Sequence, residues 1–170
     1  MDIRDKIHEM RDFPKPGIVF RDITPLLSDP AYFSHAVNQI VGKLDSVEFD
    51  MIISPESRGF IFGVPVALRM SKPFIPARKP GKLPREVLRA EYGLEYGNDI
   101  LEIHADDIPR GGKVVIVDDL LATGGTVRAM CDMIESAGAE VVGLVFLIEL
   151  ANLYGRKRLG GYGVKSLITY

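Results

Sequence analysis

A pair of adjacent carboxylates followed by a loop of small residues is the part of the sequence best suited to chemistry. Asp118 and Asp119 follow the apolar run Val114–Val117. The loop that comes next contains Ala122, Thr123, Gly124, Gly125 and Thr126. Small side chains allow backbone N–H groups to approach an anion closely, and the two threonine hydroxyls add donors. The acids suit the vicinal hydroxyls of a ribose, and the loop suits the phosphate of that sugar.

The residues on either side of this loop predict a buried strand before it and a helix after it. The absence of polar alternation in Val114–Val117 is typical of a strand covered on both faces in a parallel sheet, and we expect this strand to end at Asp118. After the loop, apolar residues recur at helical spacing, and Gly138 stands where a C-terminal cap is expected. A phosphate in the loop would therefore meet the positive end of the helix.

Two other phosphate-binding motifs are absent from this segment. No lysine follows the glycines at Walker A spacing, and the dinucleotide fingerprint G-x-G-x-x-G does not occur. The stretch VVIVDDLLATGGT, residues 114–126, instead resembles the motif that binds phosphoribosyl diphosphate (PRPP) in type I phosphoribosyltransferases. The resemblance implies that Ala122–Thr126 bind the phosphate of PRPP or AMP and that Asp118 and Asp119 bind the ribose.

The rest of the chain alternates strands and helices, which predicts an α/β fold with a mainly parallel, twisted sheet flanked by helices. We expect strands or extended segments at 18–23, 51–53, 74–76 and 140–150, and helices at 2–10, 30–44 and 64–70. Residues 1–170 are expected to form a single domain, with a small N-terminal hood over about 1–30 and a flexible antiparallel lid over about 78–103. The segment after residue 150 reads as a tail-like closing unit, with Arg156–Arg158 in a solvated turn.

Basic residues fall in two places where they could bind a diphosphate. Ser57 and Arg58 follow a predicted strand, at the sheet edge where ligands of open α/β folds bind. The second place is the start of the lid, with Arg78, Lys79 and Lys82. A guanidinium binds phosphate oxygens through paired hydrogen bonds and lysines add positive charge, so all of these residues are predicted to bind diphosphate. The segment PESRGF resembles the pyrophosphate loop of the adenine phosphoribosyltransferase family, which implies a cis peptide bond between Glu56 and Ser57.

The lid contains the sequence LEYG at residues 94–97, which resembles the flexible-loop signature of the same family. This resemblance implies that Glu95 is placed against the purine as a proton donor or acceptor, and we expect Tyr96 to close over the ribose. Displacement of diphosphate at the anomeric carbon passes through an oxocarbenium-like state, which a more nucleophilic purine N9 would favour. Glu95, Tyr96 and Arg58 are therefore the predicted catalytic residues. Whether Glu95 transfers a proton or only forms a hydrogen bond stays open.

The extended segment IVFRDITP, residues 18–25, is where base recognition is expected. An aromatic ring at Phe20 can stack on a purine, and the backbone of an extended segment can bind the amino-pyrimidine edge of adenine. The segment resembles the adenine-contacting hood of the family, which implies that Val19, Phe20 and Arg21 contact the base.

Composition and charge argue against several other classes of protein. The formal net charge of −2 gives no reason to expect binding to nucleic acid or to a membrane surface, and no apolar run approaches the length of a bilayer span. Cys131 is the single cysteine, so no intramolecular disulfide can form and a reduced, cytoplasmic setting is expected. The charged N-terminus lacks the apolar region of a signal peptide.

The four resemblances together imply a magnesium-dependent (Mg2+) reaction that converts adenine and PRPP into AMP and diphosphate in purine salvage. The metal is expected to bind mainly to substrate oxygens rather than in a protein cage. The family resemblance also implies a homodimer, in which Arg78 can reach the neighbouring site. Two alternatives remain, namely transfer to a 6-oxopurine (xanthine, guanine or hypoxanthine) and a PRPP-sensing regulator that binds nucleic acid. The slightly acidic charge and the presence of Glu95 argue against the regulator.

Overall fold

The computed structural model describes residues 1–94 and 97–170 of the chain. The chain divides into two compact units, Met1–Gln39 and Ile40–Tyr170. The second unit carries the predicted phosphate loop, the predicted diphosphate-binding residues and the lid. The first unit carries the hairpin predicted to contact the base.

The first unit is built around a short antiparallel hairpin. Strands β1 (His8–Arg11) and β2 (Val19–Asp22) pair with His8 opposite Asp22 and Arg11 opposite Val19. Helix α1 spans Thr24–Leu27, and helix α2 spans Pro30–Leu44, as expected from the sequence, and contains the boundary between the units. The extended conformation predicted for 18–23 is confirmed.

The helix predicted for residues 2–10 is wrong. Only Ile3–Lys6 form a turn of 3₁₀ helix, in which the Asp2 carboxylate accepts a hydrogen bond from Arg4 N at 2.9 Å. The chain then becomes β1, because its backbone groups pair with β2 instead of with each other. A helix of nine residues is marginal in isolation, so long-range strand pairing overrides the helical spacing of the apolar residues.

A five-stranded parallel sheet forms the centre of the second unit. Its strands, in spatial order, are β4 (Phe74–Ala77), β3 (Met51–Pro55), β7 (Lys113–Leu121), β8 (Glu140–Glu149) and β9 (Val164–Thr169). Helices α3 (Arg58–Arg69), α4 (Gly125–Ser136) and the short α5 (Gly155–Arg158) connect or follow them. Residues Val114–Val117 are fully buried, as their unbroken apolar character predicts. The predicted α/β fold with a parallel sheet is confirmed.

Helix α3 begins six residues earlier than the sequence suggested, at Arg58 rather than Val64. Two glycines in the added part of the helix are contact points between helix and sheet. A Cβ at Gly63 would overlap Ser54 Oγ and lie 2.8 Å from Phe74 Cε2, and a Cβ at Gly59 would lie 2.8 Å from Pro55 Cδ. Close approach of α3 to β3 therefore places Arg58 directly beyond the carboxyl end of that strand.

Strand β7 is longer than predicted, because it continues through Asp118 and Asp119 to Leu121. Leu120 and Leu121 are aligned with Ile148 and Glu149 of β8, and Leu121 is buried. The two acids are consequently held by the sheet ladder rather than by a loop.

The closing unit is also more regular than predicted. Arg156–Arg158 are exposed, as predicted, but belong to the single helical turn α5, and β9 completes the sheet. Arg156 holds the buried Glu149 carboxylate with Nε to Oε1 and Nη2 to Oε2 distances of 2.7 Å, and this contact lowers the pKa of Glu149. The segment is therefore part of the core of the second unit.

The lid is an antiparallel hairpin of β5 (Val87–Leu94) and β6 (Gly97–His104), which confirms the predicted pairing of its ends. Ala90, Leu101 and Ile103 are buried in the main hydrophobic core. Glu102 is also buried, and its carboxylate accepts hydrogen bonds from Arg89 Nε at 3.0 Å and Gly81 N at 3.1 Å. The base of the hairpin is thus fixed to the sheet and to the basic segment before it.

Candidate functional site

The phosphate loop connects β7 to α4 at the carboxyl edge of the sheet. Gly124 precedes the first residue of α4 and has a left-handed backbone with φ of 79°, a conformation that glycine adopts without steric cost. The loop surrounds a small cavity of about 80 Å³ that is lined by Asp118 and residues 120–127. Every loop residue predicted to bind phosphate lines this cavity, and the N-terminus of the 12-residue helix α4 provides N–H groups and a positive dipole there.

The two carboxylates at the end of β7 lie in different electrostatic environments. Asp119 is paired with Arg58, whose Nη2 lies 2.6 Å from Asp119 Oδ2. Asp118 Oδ1 instead accepts a hydrogen bond from Asp119 N at 2.8 Å, and the side of Gly59 that lacks a Cβ faces the same oxygen. Burial raises the pKa of Asp118 well above its ordinary value, and the charge of Asp119 adds to this effect. The structure therefore stabilises the charge of Asp119 and disfavours that of Asp118.

The segment predicted to bind diphosphate follows β3. The Glu56–Ser57 peptide bond is cis, as the family resemblance implied. Ser57 is exposed, and Arg58 is the first residue of α3 with its side chain about one third exposed. The Arg58 contact to Asp119 brings this segment against the predicted ribose site, which confirms that the two sequence motifs lie side by side.

The basic segment at the start of the lid is attached to the same site through Glu56. Arg78 Nη2 lies 3.4 Å from Glu56 Oε2, and Lys79 N donates a hydrogen bond to Glu56 Oε1. The backbone of Arg78 pairs in both directions with Glu102, at 2.8 and 2.7 Å. Arg78 and Lys79 therefore lie beside the 55–58 segment within one protomer, whereas Lys82 is simply exposed.

The lid hairpin reaches both predicted anion-binding segments through Tyr92 and Asp99, which face each other across β5 and β6. The Tyr92 hydroxyl donates to Asp99 Oδ2 at 3.0 Å, and Lys79 Nζ is paired with the same carboxylate. Tyr92 also lines the same surface cavity as Gly125 of the phosphate loop. The motifs of the sequence gave no indication of these two residues.

A second group that sequence reasoning missed lies in the closing unit, behind the phosphate loop. Gly155 packs so closely that a Cβ would overlap the Ala122 carbonyl oxygen and lie 2.8 Å from Leu121 Cδ1. A Cβ at Gly124 would in turn lie 2.9 Å from the Gly155 carbonyl oxygen. The path of the loop therefore depends on a glycine about thirty residues away, and no local pattern reveals that contact.

The residues predicted to bind adenine lie on β2 in the first unit. Phe20 is partly exposed and packs edge-on against Phe13, with 5.3 Å between ring centroids. Arg21 pairs with Glu9 of β1, and Val19 is 40% exposed. Partial exposure of an aromatic ring is compatible with stacking on a base. The predicted catalytic residues Glu95 and Tyr96 lie outside the described residues.

Two residues that the sequence analysis gave no catalytic role have other partners. His104 lies 3.3 Å from Asp107 and contacts Arg85, so it is part of a surface cluster at the lid base. Cys131 is fully buried in α4, and burial raises the pKa of its thiol to about 12. Such a thiol is unreactive at neutral pH.

Two kinds of feature are absent from the described ranges. Residues 1–94 and 97–170 contain no group of three or more His, Cys, Asp or Glu side chains placed to hold a metal ion. Within the same ranges, we found no helix with the length and apolar character required to cross a membrane.

Comparison with known proteins gives consistent matches over nearly the whole chain. A family model described as the phosphoribosyl transferase domain matches residues 31–168. The adenine phosphoribosyltransferase of Kosmotoga olearia is 50% identical over 170 residues, which cover 100% of both proteins. That of Rubrobacter xylanophilus is 54% identical, over 99% of this chain and 91% of the relative.

Solved structures agree with these sequence matches. The crystal structure of adenine phosphoribosyltransferase from Thermoanaerobacter pseudethanolicus has a TM-score of 0.96 at 52% identity, covering 99% of this chain and 98% of that one. The Saccharomyces cerevisiae enzyme, complexed with D-2,5-dideoxy-2,5-imino-altritol 1,6-bisphosphate and adenine, has a TM-score of 0.89 at 37% identity, covering 95% and 94% of the two chains.

Proposed function

The chain belongs to the adenine phosphoribosyltransferase family, and from that premise we propose how its residues convert adenine and PRPP into AMP and diphosphate for purine salvage. The observation that carries the proposal is the continuity of the site. The phosphate loop, the carboxylates of Asp118 and Asp119, and the guanidinium of Arg58 adjoin one another at one sheet edge. The site thus presents an anion-binding loop, then acidic groups, then a cation. This spatial order matches the covalent order of phosphate, ribose and diphosphate in PRPP.

Each part of the site then has a separate task in the reaction. Residues 122–126 bind the 5-phosphate, and Asp118 and Asp119 accept hydrogen bonds from the ribose hydroxyls. The carboxylate of Asp119 also favours the cationic sugar that develops as the bond to diphosphate breaks. The departing diphosphate gains negative charge, which is neutralised by the cations of the site. The proposed diphosphate-binding set is Ser57, Arg58, Arg78, Lys79 and Lys82.

The base is bound by groups from the hood and the lid. Val19, Phe20 and Arg21 contact adenine, and the partly exposed ring of Phe20 stacks on it. Glu95 controls the imidazole proton of adenine, and Tyr96 covers the ribose during the reaction. The support for these assignments is the match between the hood and lid segments and the motifs of the family.

Magnesium is proposed to bind mainly to oxygens of PRPP. The two carboxylates of the proposed ribose site fit this arrangement, since Asp119 is already paired with Arg58 and Asp118 accepts a backbone hydrogen bond. A hard cation that retains several water ligands needs only one or two protein carboxylates in addition to phosphate oxygens. When bound, the ion supplies positive charge that makes diphosphate a better leaving group.

The specificity of the proposed function is tested with a panel of bases. The protein is incubated with PRPP and Mg2+ and either adenine, hypoxanthine, guanine or xanthine, and the nucleotide product is separated by chromatography. We expect AMP from adenine and little product from the 6-oxopurines. Nucleotide formation from a 6-oxopurine with none from adenine would instead place the chain with the other purine phosphoribosyltransferases.

The active protein is proposed to be a homodimer that functions in the cytoplasm. The second unit exposes an apolar strip on α3, where Val64 is 47% exposed and Leu68 is 80% exposed. Side chains four residues apart lie on the same helix face, and an exposed apolar face of this kind favours association with another protein surface. The family resemblance makes a second copy of this chain the expected partner.

We expect Leu68→Asp to shift the protein from dimer to monomer, because burial of a charge in an apolar interface is unfavourable. Light scattering coupled to size-exclusion chromatography measures the mass directly. Leu153→Asp is the matched control. Leu153 is also exposed, at 41%, but it lies in the closing unit and not on α3. A wild-type protein that elutes as a monomer at working concentration would contradict the dimer.

A further inference from the structure

The contacts of Lys79 link the two ends of the proposed PRPP site. Its backbone N–H donates to Glu56, which lies in the 55–58 segment, and its ammonium group is paired with Asp99. Asp99 also accepts the hydrogen bond of Tyr92 at 3.0 Å, and Tyr92 lines the same cavity as Gly125 of the phosphate loop. A chain of hydrogen bonds thus runs from the diphosphate segment to a lid residue beside the phosphate loop.

The donors and acceptors along this chain have one consistent order. Lys79 and Tyr92 both donate to the Asp99 carboxylate. Burial opposes the charge of Lys79, but the hydrogen bond and charge of Asp99 outweigh it and raise the pKa of the ammonium group. The same contact lowers the pKa of Asp99. Both groups are therefore charged at neutral pH.

Lys79 has a long side chain that would otherwise occupy many rotamers. Its contact with Asp99 restricts those rotamers, and the hydrogen bond from Tyr92 holds the Asp99 carboxylate in turn.

We propose that Asp99 and Tyr92 are positioning residues, which hold Lys79 for the diphosphate. The inference rests on the proposed function, because it assigns PRPP to this site. Neither residue needs to touch the substrate, since Asp99 acts through the ammonium group of Lys79 and Tyr92 acts through Asp99.

The test is a kinetic comparison of Asp99→Asn, Asp99→Glu and Tyr92→Phe. We expect Asp99→Asn to raise KM for PRPP by about five- to tenfold, the scale of one charge-assisted contact that is partly exposed to water. KM for adenine is expected to stay unchanged, and Asp99→Glu is expected to recover most of the loss. Tyr92→Phe, which removes the hydroxyl but keeps the ring, is expected to give a smaller change in the same parameter.

A double-mutant cycle separates positioning from a general effect on the fold. If Asp99 acts through Lys79, the double variant Lys79→Met, Asp99→Asn should bind PRPP no more weakly than Lys79→Met alone. Asp107→Asn is the matched control, because Asp107 pairs with Arg85 on the exposed base of the lid, with 2.8 Å between Nη2 and Oδ2, and should leave KM for PRPP unchanged.

Calorimetric titration of each variant with PRPP and Mg2+, without a base, measures the same effect independently of base specificity. An unchanged PRPP affinity in Asp99→Asn would overturn the inference, as would additive losses in the double variant or equal increases in both KM values. Failure of the proposed function gives a different result, since wild-type protein would then form no AMP from adenine and PRPP.

Discussion

Replacement of Asp118 by asparagine is expected to lower kcat/KM for PRPP by about ten- to a hundredfold while leaving the folded protein at least as stable as the wild type. The loss follows because asparagine cannot ionise, whereas bound ribose hydroxyls favour the carboxylate form of Asp118, and a hydrogen bond to a charged group contributes about 1.5–3 kcal/mol. Steady-state kinetics at subsaturating PRPP measure the first effect, and thermal unfolding measures the second.

The stability prediction follows from the raised pKa of Asp118. At pH values between the unfolded and the folded pKa, the folded protein binds more protons than the unfolded chain, so the free energy of unfolding decreases as pH rises through that interval. An asparagine has no charge to bury and removes this penalty, while its Oδ1 can still accept the hydrogen bond from Asp119 N. Each kcal/mol gained at the midpoint would raise Tm by about 2–4 °C.

The pH dependence gives this prediction a sharper form. The advantage of Asp118→Asn in unfolding free energy should be largest at neutral pH. It should disappear as the pH falls below the ordinary aspartate pKa of about 3.9, where the wild-type carboxyl becomes protonated in both states. If Asp118→Asn instead lowers the free energy of unfolding at pH 7, the weaker PRPP use would be explained by damage to the fold.

Asp119→Asn provides the comparison within the same site. It should weaken PRPP use by a similar factor, but it should not stabilise the fold, because Asp119 is paired with Arg58 at 2.6 Å and its charge is compensated. Asp132→Asn is a suitable surface control, since Asp132 lies on α4 and pairs with Arg128. Full PRPP use by both Asp118→Asn and Asp119→Asn would remove the ribose role proposed for this pair.

The parts of the fold that the sequence predicted are those with a strong local signal. Val114–Val117 form an unbroken apolar strand, and Gly138 ends α4 with φ of 87°, as its position after the apolar periodicity predicts. Burial on both faces of a sheet and the need for a left-handed residue at a helix end act on neighbouring residues. Such constraints therefore leave a pattern that can be recognised without knowledge of the tertiary structure.

The parts that the sequence did not predict depend on partners that are distant along the chain. Strand β9 mixes polar and apolar residues and is recognisable only through its pairing with β8. Residues 2–10 have helical spacing, but those from His8 onward belong to β1 because β2 supplies the pairing groups. The start of α3 before residue 64 was also missed, because the glycines at 59 and 63 each remove a Cβ that would clash where α3 meets β3.

The same distinction applies to the candidate site. The loop, its acids and the cations carry their chemistry in their side chains, so their types and order were informative. Tyr92 and Asp99 are ordinary lid residues until the hairpin register sets them opposite each other. Their partner Lys79 lies in another segment. Long-range contact, rather than residue type, gives them their proposed role.

Gly155→Ala is expected to cause a large loss of PRPP binding without any direct contact between residue 155 and the substrate. The added methyl group would overlap the Ala122 carbonyl oxygen and lie 2.8 Å from Leu121 Cδ1, so the backbone of the phosphate loop must move. Overpacking of this kind costs about 1–3 kcal/mol in stability. The displaced N–H groups would no longer converge on the phosphate, and misplacement by about 1 Å can lower a catalytic rate by about a hundredfold.

The measurement compares KM for PRPP with KM for adenine, together with Tm. We expect the first to rise by about a hundredfold in Gly155→Ala and the second to change little, because the base is bound by residues of the hood and the lid. Gly163→Ala is the matched control from the same closing segment, since a Cβ there meets no atom within 4 Å and its backbone is not left-handed. A Gly155→Ala protein with wild-type KM for PRPP would show that the loop keeps its path without support from Gly155.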